Sequence, residues 1–211
     1  MHTIHTTPGF IISSRPTGEA GKLISIFTRD LGLIRASAQG IRFEKSKLRP
    51  FIQDHSVGVY SFVRGKEYWR LTNAQEVGQN YGAVKLNGIN ENGIKEKTNK
   101  ELVARIALIL GRLLQGEDAH PELFVTLESL FSFLEHVTVV ADNSMDSESL
   151  KTLESLMVIR ILHRLGYVAN VAELKEYIES DSLDVAMLNS LKDKRVSMNQ
   201  HINKALRESH L

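Results

Sequence analysis

The sequence predicts an α+β multidomain chain, a small five-stranded barrel followed by an all-α helical domain. Three observations predict it. Up to Val77 the apolar segments are short, rich in β-branched and aromatic residues, and separated by turn residues. From residue 100 onward the apolar period becomes helical. The charge divides near the same place. Residues 1–75 hold 11 Lys/Arg against 5 Asp/Glu, a net +6, while the remaining 15 Lys/Arg and 20 Asp/Glu give −5. The total of +1 over 211 residues hides that division, and such asymmetry is a hint of an anionic partner for the basic half.

Strands are expected at about 10–15, 22–29, 32–40, 55–64 and 67–76. The stretches between them, Arg15-Pro16-Thr17-Gly18, Arg29-Asp30-Leu31-Gly32 and Arg64-Gly65-Lys66, have the composition of tight turns. Five short strands in about 70 residues fit an OB-fold barrel, and an SH3-like barrel fits nearly as well. Pattern alone does not separate the two.

Residues 78–99 contain four Gly and five Asn without sustained periodicity, and this is the expected domain boundary. The expected organisation is an OB-fold domain over 1–78, a linker or loop over 79–99 and a helical C-terminal domain over 100–211. Within the last, Leu102, Ile106, Ile109, Leu110 and Leu113 form one buried stripe. Thr98-Asn99-Lys100-Glu101 resembles a capping box at its start. Pro121 sits where an N1 proline opens a helix running to about Val140. A polar break at Ala141–Ser147 precedes a helix from about 148 to Leu165, ended by Gly166. That helix is apolar on more than one face, so it is either central to the bundle or part of a docking groove. Its Arg160 and Arg164, four residues apart, are suited either to solvent or to an acidic partner peptide. Weaker helical patterns follow at about 171–179, 184–191 and 198–208.

Composition excludes several classes. Hydrophobic residues at 42% and charged residues at 24% argue against disorder along the whole chain. No window approaches 18 uninterrupted apolar residues, so no membrane span is expected. The N-terminal MHTIHTTPGF lacks the basic and apolar regions of a secretory signal, so none is expected. Cysteine is absent, which removes disulfides, thiolate nucleophiles and cysteine zinc sites. The Arg15–Lys22 stretch has two residues between its glycines and Leu23 after Lys22, so it is not a phosphate-binding P-loop. His2 and His5, in a stretch expected to fray, and six scattered histidines offer no metal motif. No nucleophile elbow or acid–base pair of carboxylates stands out, so a non-enzymatic protein without metal or cofactor is expected.

The sharpest local feature is Arg42-Phe43-Glu44-Lys45-Ser46-Lys47-Leu48-Arg49, with Arg35 just before it on a predicted strand. Phosphodiester backbones are bound by clustered cations that neutralise phosphates and release counterions. Arg35, Arg42, Lys45, Lys47 and Arg49 are therefore the expected phosphate contacts, with Arg15, Lys22 and Arg29 as a second tier. Single-strand binding also needs aromatic faces for bases. Candidates are Phe27, Phe43, Phe51, Tyr60, Phe62, Tyr68 and Trp69, the last two necessarily on opposite faces of their strand.

In order and spacing these features resemble RecO, the bacterial DNA-repair and recombination-mediator family. The carriers are a strand at Phe10–Ser14, a polar turn with Glu19, and a strand ending Thr28-Arg29-Asp30-Leu31-Gly32. Ala38-Gln39-Gly40, Lys45-Ser46-Lys47-Leu48 and the Leu-Gly-Tyr close of Leu162–Tyr167 follow. The resemblance implies an OB-fold, a helical domain, and binding and annealing of single- and double-stranded DNA. It also implies RecR and single-stranded DNA-binding protein as partners, assistance in loading RecA, no membrane association and a cytoplasmic, nucleoid-associated place. Many members carry a four-cysteine zinc module after the Gly-Tyr motif. Val168–Ser182 has no cysteine, so that module is not expected here. The other classes left open are a protein-interaction adaptor built from the same barrel and helices, and, with nothing in its favour, an enzyme acting on nucleic acid.

Overall fold

The computed structural model describes residues 3–75, 93–140, 145–169 and 171–209. The chain divides into two compact units, Met1–Asn87 with Leu114–Pro121, and Gly88–Leu113 with Glu122–Leu211.

The first unit is a closed barrel of β1 (Ile4–Thr17), β2 (Gly21–Thr28), β3 (Gly32–Ala38), β4 (Val57–Val63) and β5 (Trp69–Gln75). Their order around the barrel is β1-β2-β3-β5-β4, which is the OB arrangement. The β1–β2, β2–β3, β1–β4 and β4–β5 pairs are antiparallel, and a short parallel pairing of β3 with β5 closes the barrel. Alternating side chains fill the interior: Ile11, Ile24, Ile26, Ile34, Ala36, Tyr60, Phe62 and Leu71 are all buried in one cluster.

β1 starts six residues before the expected strand, and His5 belongs to it rather than to a frayed end. Thr6-Thr7-Pro8-Gly9 carries no alternating apolar signal, so the pairing partner decides: Ile4–Phe10 lies along β4, from Val63 to Val57. β1 then pairs with β2, and its register shifts between Ile11 and Ser13. A bulge there bends the strand so that one segment serves two neighbours. The expected β5 end at Glu76 lies outside the described residues.

In the second unit, α1 (Gly93–Leu113), α2 (Pro121–Val140), α3 (Ser147–Arg164), α4 (Lys175–Glu179), α5 (Val185–Leu191) and α6 (Arg195–Glu208) follow in order. Of the expected linker, 79–92 lies outside the described residues and 93–99 is helical. Thr98 is therefore inside α1 rather than its cap, since Lys95-Glu96-Lys97 favour helix. The expected polar break before α3 falls at 141–144 outside the described residues. Asp146 caps α3, accepting a 2.8 Å hydrogen bond from Ser149 N–H. α3 is the central helix, with Leu153, Leu156, Met157, Ile159, Ile161 and Leu162 all buried.

Arg160 is fully buried, so the alternative of an acidic partner peptide does not hold for it. Its Nε donates to Tyr177 O at 2.8 Å and its Nη2 to Ser182 O at 3.1 Å. Arg164 pairs with Glu122 and Asp181, both at 3.2 Å. These two guanidiniums tie the segment after Tyr167 to α3. A four-thiolate zinc site has no donors in this chain, and no group of three His, Asp or Glu gathers among the described residues. Among the same residues no helix is long and apolar enough to cross a membrane.

Candidate nucleic-acid interface

Register places the strand cations. Across β1, β2 and β3, Arg15 stands opposite Leu23 and Leu23 opposite Ser37; one row along, Ser13 faces Ser25 and Ser25 faces Arg35. Residues directly opposite one another project to the same side of a sheet. Arg15 and Arg35 therefore share the outer face of β1–β3, two strands apart, or about 10 Å. A shallow groove of about 250 Å³ lies between them, lined by Ser13, Ser14, Arg15, Leu23, Ser25 and Arg35. The parallel pairing sets Arg70 beside Ser37, which adds a third exposed guanidinium to this face. Arg70 was not among the expected site residues, because no local pattern announces the pairing of Ser37 with so distant a residue.

Lys22 is placed differently. It pairs with Pro16 and Ala38, on the side of β2 that Ile24 and Ile26 turn inward, at the barrel mouth. Its Nζ donates to Ser14 Oγ at 3.4 Å, and Ser14 donates to Asp54 at 2.5 Å. Arg29 lies in the β2–β3 turn, seven residues along from Lys22 and so roughly 20 Å away, and its Nε bonds Asp30 at 3.2 Å. The structure brings Arg15, Arg35 and Arg70 together and leaves Arg29 at the far end.

The basic run leaves β3 at the end where Ala38 pairs with Lys22, so it begins beside the Arg15 end of the face. Arg42 N–H donates to Ala20 O at 3.1 Å, docking it against the β1–β2 turn. From there the chain descends in successive turns: Phe43 to Gly40 O, Ser46 to Phe43 O, Arg49 to Ser46 O, Ile52 to Arg49 O. Ile41 and Ile52 are buried in the barrel cluster, and Leu48 and Phe51 pack against it. Tyr60 reinforces this end by donating to Phe51 O at 3.2 Å, its hydroxyl pushed up to about 12 by burial. Apolar anchors thus face inward while Arg42, Phe43, Lys45, Lys47 and Arg49 are exposed. Glu44, also exposed, is the only acidic residue in the run.

The cations of this face and loop differ from others in the chain in their counter-ions. Among the described residues, Arg15, Arg35, Arg42, Lys45, Lys47, Arg49 and Arg70 are in no ion pair. The helical unit instead pairs Arg105 with Glu154, Lys192 with Asp146 and Arg195 with Glu148. Cations held on a folded surface without carboxylate partners create the positive field a polyanion requires.

Most aromatic candidates are withdrawn from it. Phe27, Tyr60 and Phe62 are fully buried, and Phe51 is half-buried. Trp69 is also buried: His5 meets its ring edge-on at 5.3 Å, and the Arg64 guanidinium lies 4.9 Å from its centroid. Its indole N–H donates to Glu117 at 3.1 Å, and Arg64 donates to the same carboxylate at 2.6 Å. Tyr68 lies in the bend just before β5 rather than on the strand, so the expected opposition across one strand does not apply; it is 39% exposed, and Phe43 is 64% exposed.

This barrel has known relatives. Residues 1–79 match the family model Recombination protein O N terminal. Through this domain the chain is similar to the RecO family. A DNA repair protein RecO from Synechococcus is 30% identical over 121 residues, 56% of this chain and 41% of the relative. One from Ralstonia nicotianae is 30% identical over 142 residues, 66% of this chain and 47% of the relative. One from Caldanaerobacter subterraneus is 25% identical over 160 residues, 74% of this chain and 59% of the relative. The chain thus spans about half the length of these curated relatives. In this RecO-like barrel the first-tier cations and Arg15 occupy the loop after β3 and the outer face of β1–β3, with Arg70 added, while Lys22 and Arg29 lie apart from them.

Proposed function

We propose that this RecO-like protein acts in recombinational DNA repair as a non-enzymatic mediator. It binds DNA, anneals single strands and helps load RecA onto single strands held by single-stranded DNA-binding protein, with RecR as its partner. The observation that carries the reading is the set of cations on the barrel that have no carboxylate partner among the described residues, running from Arg35 and Arg70 through Arg15 to Arg42–Arg49. Phosphates replace the missing counter-ions, and release of the DNA's own condensed ions makes binding strongly salt-dependent. The relatives' shared name, DNA repair protein RecO, supports the biological setting. The likeness covers only part of each relative, so the annealing and loading steps rest on the proposal.

The test is fluorescence anisotropy of a labelled single-stranded oligonucleotide titrated with the protein at two salt concentrations. Binding that weakens steeply with salt supports the mediator. Absence of binding at low salt overturns it and leaves the barrel as a protein-interaction adaptor. Annealing of complementary strands then tests the finer step.

A further inference from the structure

The geometry points to Phe43 as the residue that selects single strands, by stacking on an unpaired base while the cations around it hold the phosphates. The inference rests on the DNA-binding reading and assigns the ligand of one side chain within it.

An apolar ring of this size is ordinarily covered, yet Phe43 is 64% exposed among the described residues. It is also held in place. Its N–H donates to Gly40 O at 3.3 Å, and Gly40 takes a left-handed φ of 66° that a side chain would strain. A Cβ on Gly40 would stand 3.6 Å from Cδ2 of the ring, so the ring lies beside the side-chain-free Gly40, and most of it is exposed. The loop beneath is fixed by Ile41 on one side and by Leu48, Phe51 and Ile52 on the other.

The surroundings identify the occupant. Arg42 precedes the ring, and Lys45, Lys47 and Arg49 follow within six residues, all exposed and none in an ion pair among the described residues. An apolar partner peptide gains nothing from that much positive charge, whereas a nucleotide presents a flat π-face and a phosphate together. A base inside a duplex has no free face, so stacking is confined to single strands. The cations bind both forms of DNA, and the ring tells them apart.

The experiment titrates the full chain with a single-stranded oligonucleotide and with a blunt duplex of the same sequence. Phe43→Ala, Phe43→Leu and Phe43→Trp are compared with wild type, each checked for an unchanged melting temperature. Phe43→Ala is expected to weaken single-strand binding about tenfold, from the usual worth of base stacking. Its duplex affinity stays within about twofold, and its salt slope is unchanged, because no phosphate contact is removed. Phe43→Leu shares most of the loss, and Phe43→Trp restores binding with fluorescence quenched beyond the wild-type background. Equal losses on both DNA forms, or none on either, overturn the stacking role while leaving the DNA-binding reading intact. Wild-type protein that binds neither form overturns both.

Discussion

Ser37 and Arg70 stand side by side across the parallel β3–β5 pairing, and this register carries Arg70 onto the face that holds Arg15 and Arg35. Antiparallel hairpins alone would have left two arginines two strands apart. Closing the barrel supplies a third, so the positive face extends from β1 across to β5.

Arg70→Ala is therefore expected to weaken single-stranded DNA binding and to flatten the dependence of log K on log salt by about 0.7, one phosphate's worth for a single strand. Arg105→Ala, which removes a cation already paired with Glu154, leaves both unchanged. Titrations at several salt concentrations check it; equal effects of the two variants contradict the placement of Arg70.

Gly32 is the backbone requirement that lets the segment after α1 lie against the barrel. It has φ of 68°, and a Cβ there would come within 2.2 Å of Asp118 O. Next to it Leu33 N–H donates to Gly116 O at 3.2 Å. Gly32→Ala is expected to destabilise the protein by more than about 1 kcal/mol, from left-handed strain plus the clash. Urea denaturation measures this, and a neutral result contradicts the docking of 116–118.

Arg160 holds two backbone carbonyls from within the helical core. Burial pushes its guanidinium down to about 10, so it stays charged at neutral pH. Arg160→Ala strands Tyr177 O and Ser182 O, and a cost of about 3 kcal/mol is expected. Arg160→Lys recovers little, because an ammonium lacks the planar fork that reaches both. Chemical denaturation of the two variants is the check.

The α3 cap sets an acid limb of stability. Hydrogen bonds from Ser149, with Lys192 at 3.3 Å adding to them, hold the Asp146 carboxyl at about 2, below its ordinary 3.8. A carboxylate depressed on folding stabilises above its unfolded pKa, and that contribution fades as pH falls through the folded value. The melting-temperature gap between wild type and Asp146→Ala is expected to be full at neutral pH and to close between about pH 4 and pH 2. A gap that is constant with pH contradicts the cap.

Much of this was legible in the sequence, for physical reasons. β-branched runs between turn residues announce β2, β3 and β4, and helical spacing announces α1 to α3, because both signals are local. The basic run was legible because charge needs only clustering. The first half of β1 was not, since Thr6-Thr7-Pro8-Gly9 is a strand only through its pairing with β4. The side taken by Lys22 was hidden because β2 buries Leu23 and Phe27 as well as Ile24 and Ile26, so no alternation marks the interior. Arg70 and the Trp69–Glu117 bond depend on contacts between distant segments, which no window of sequence contains.

The central claim is that the cations of the loop after β3 contact phosphates. The most direct test compares wild type with the Arg42→Ala, Lys45→Ala, Lys47→Ala triple variant in single-strand titrations across salt. The variant is expected to bind more weakly at low salt, with its log K against log salt slope flattened by about 2, three phosphates at 0.7 each. Unchanged low-salt affinity and slope contradict the account.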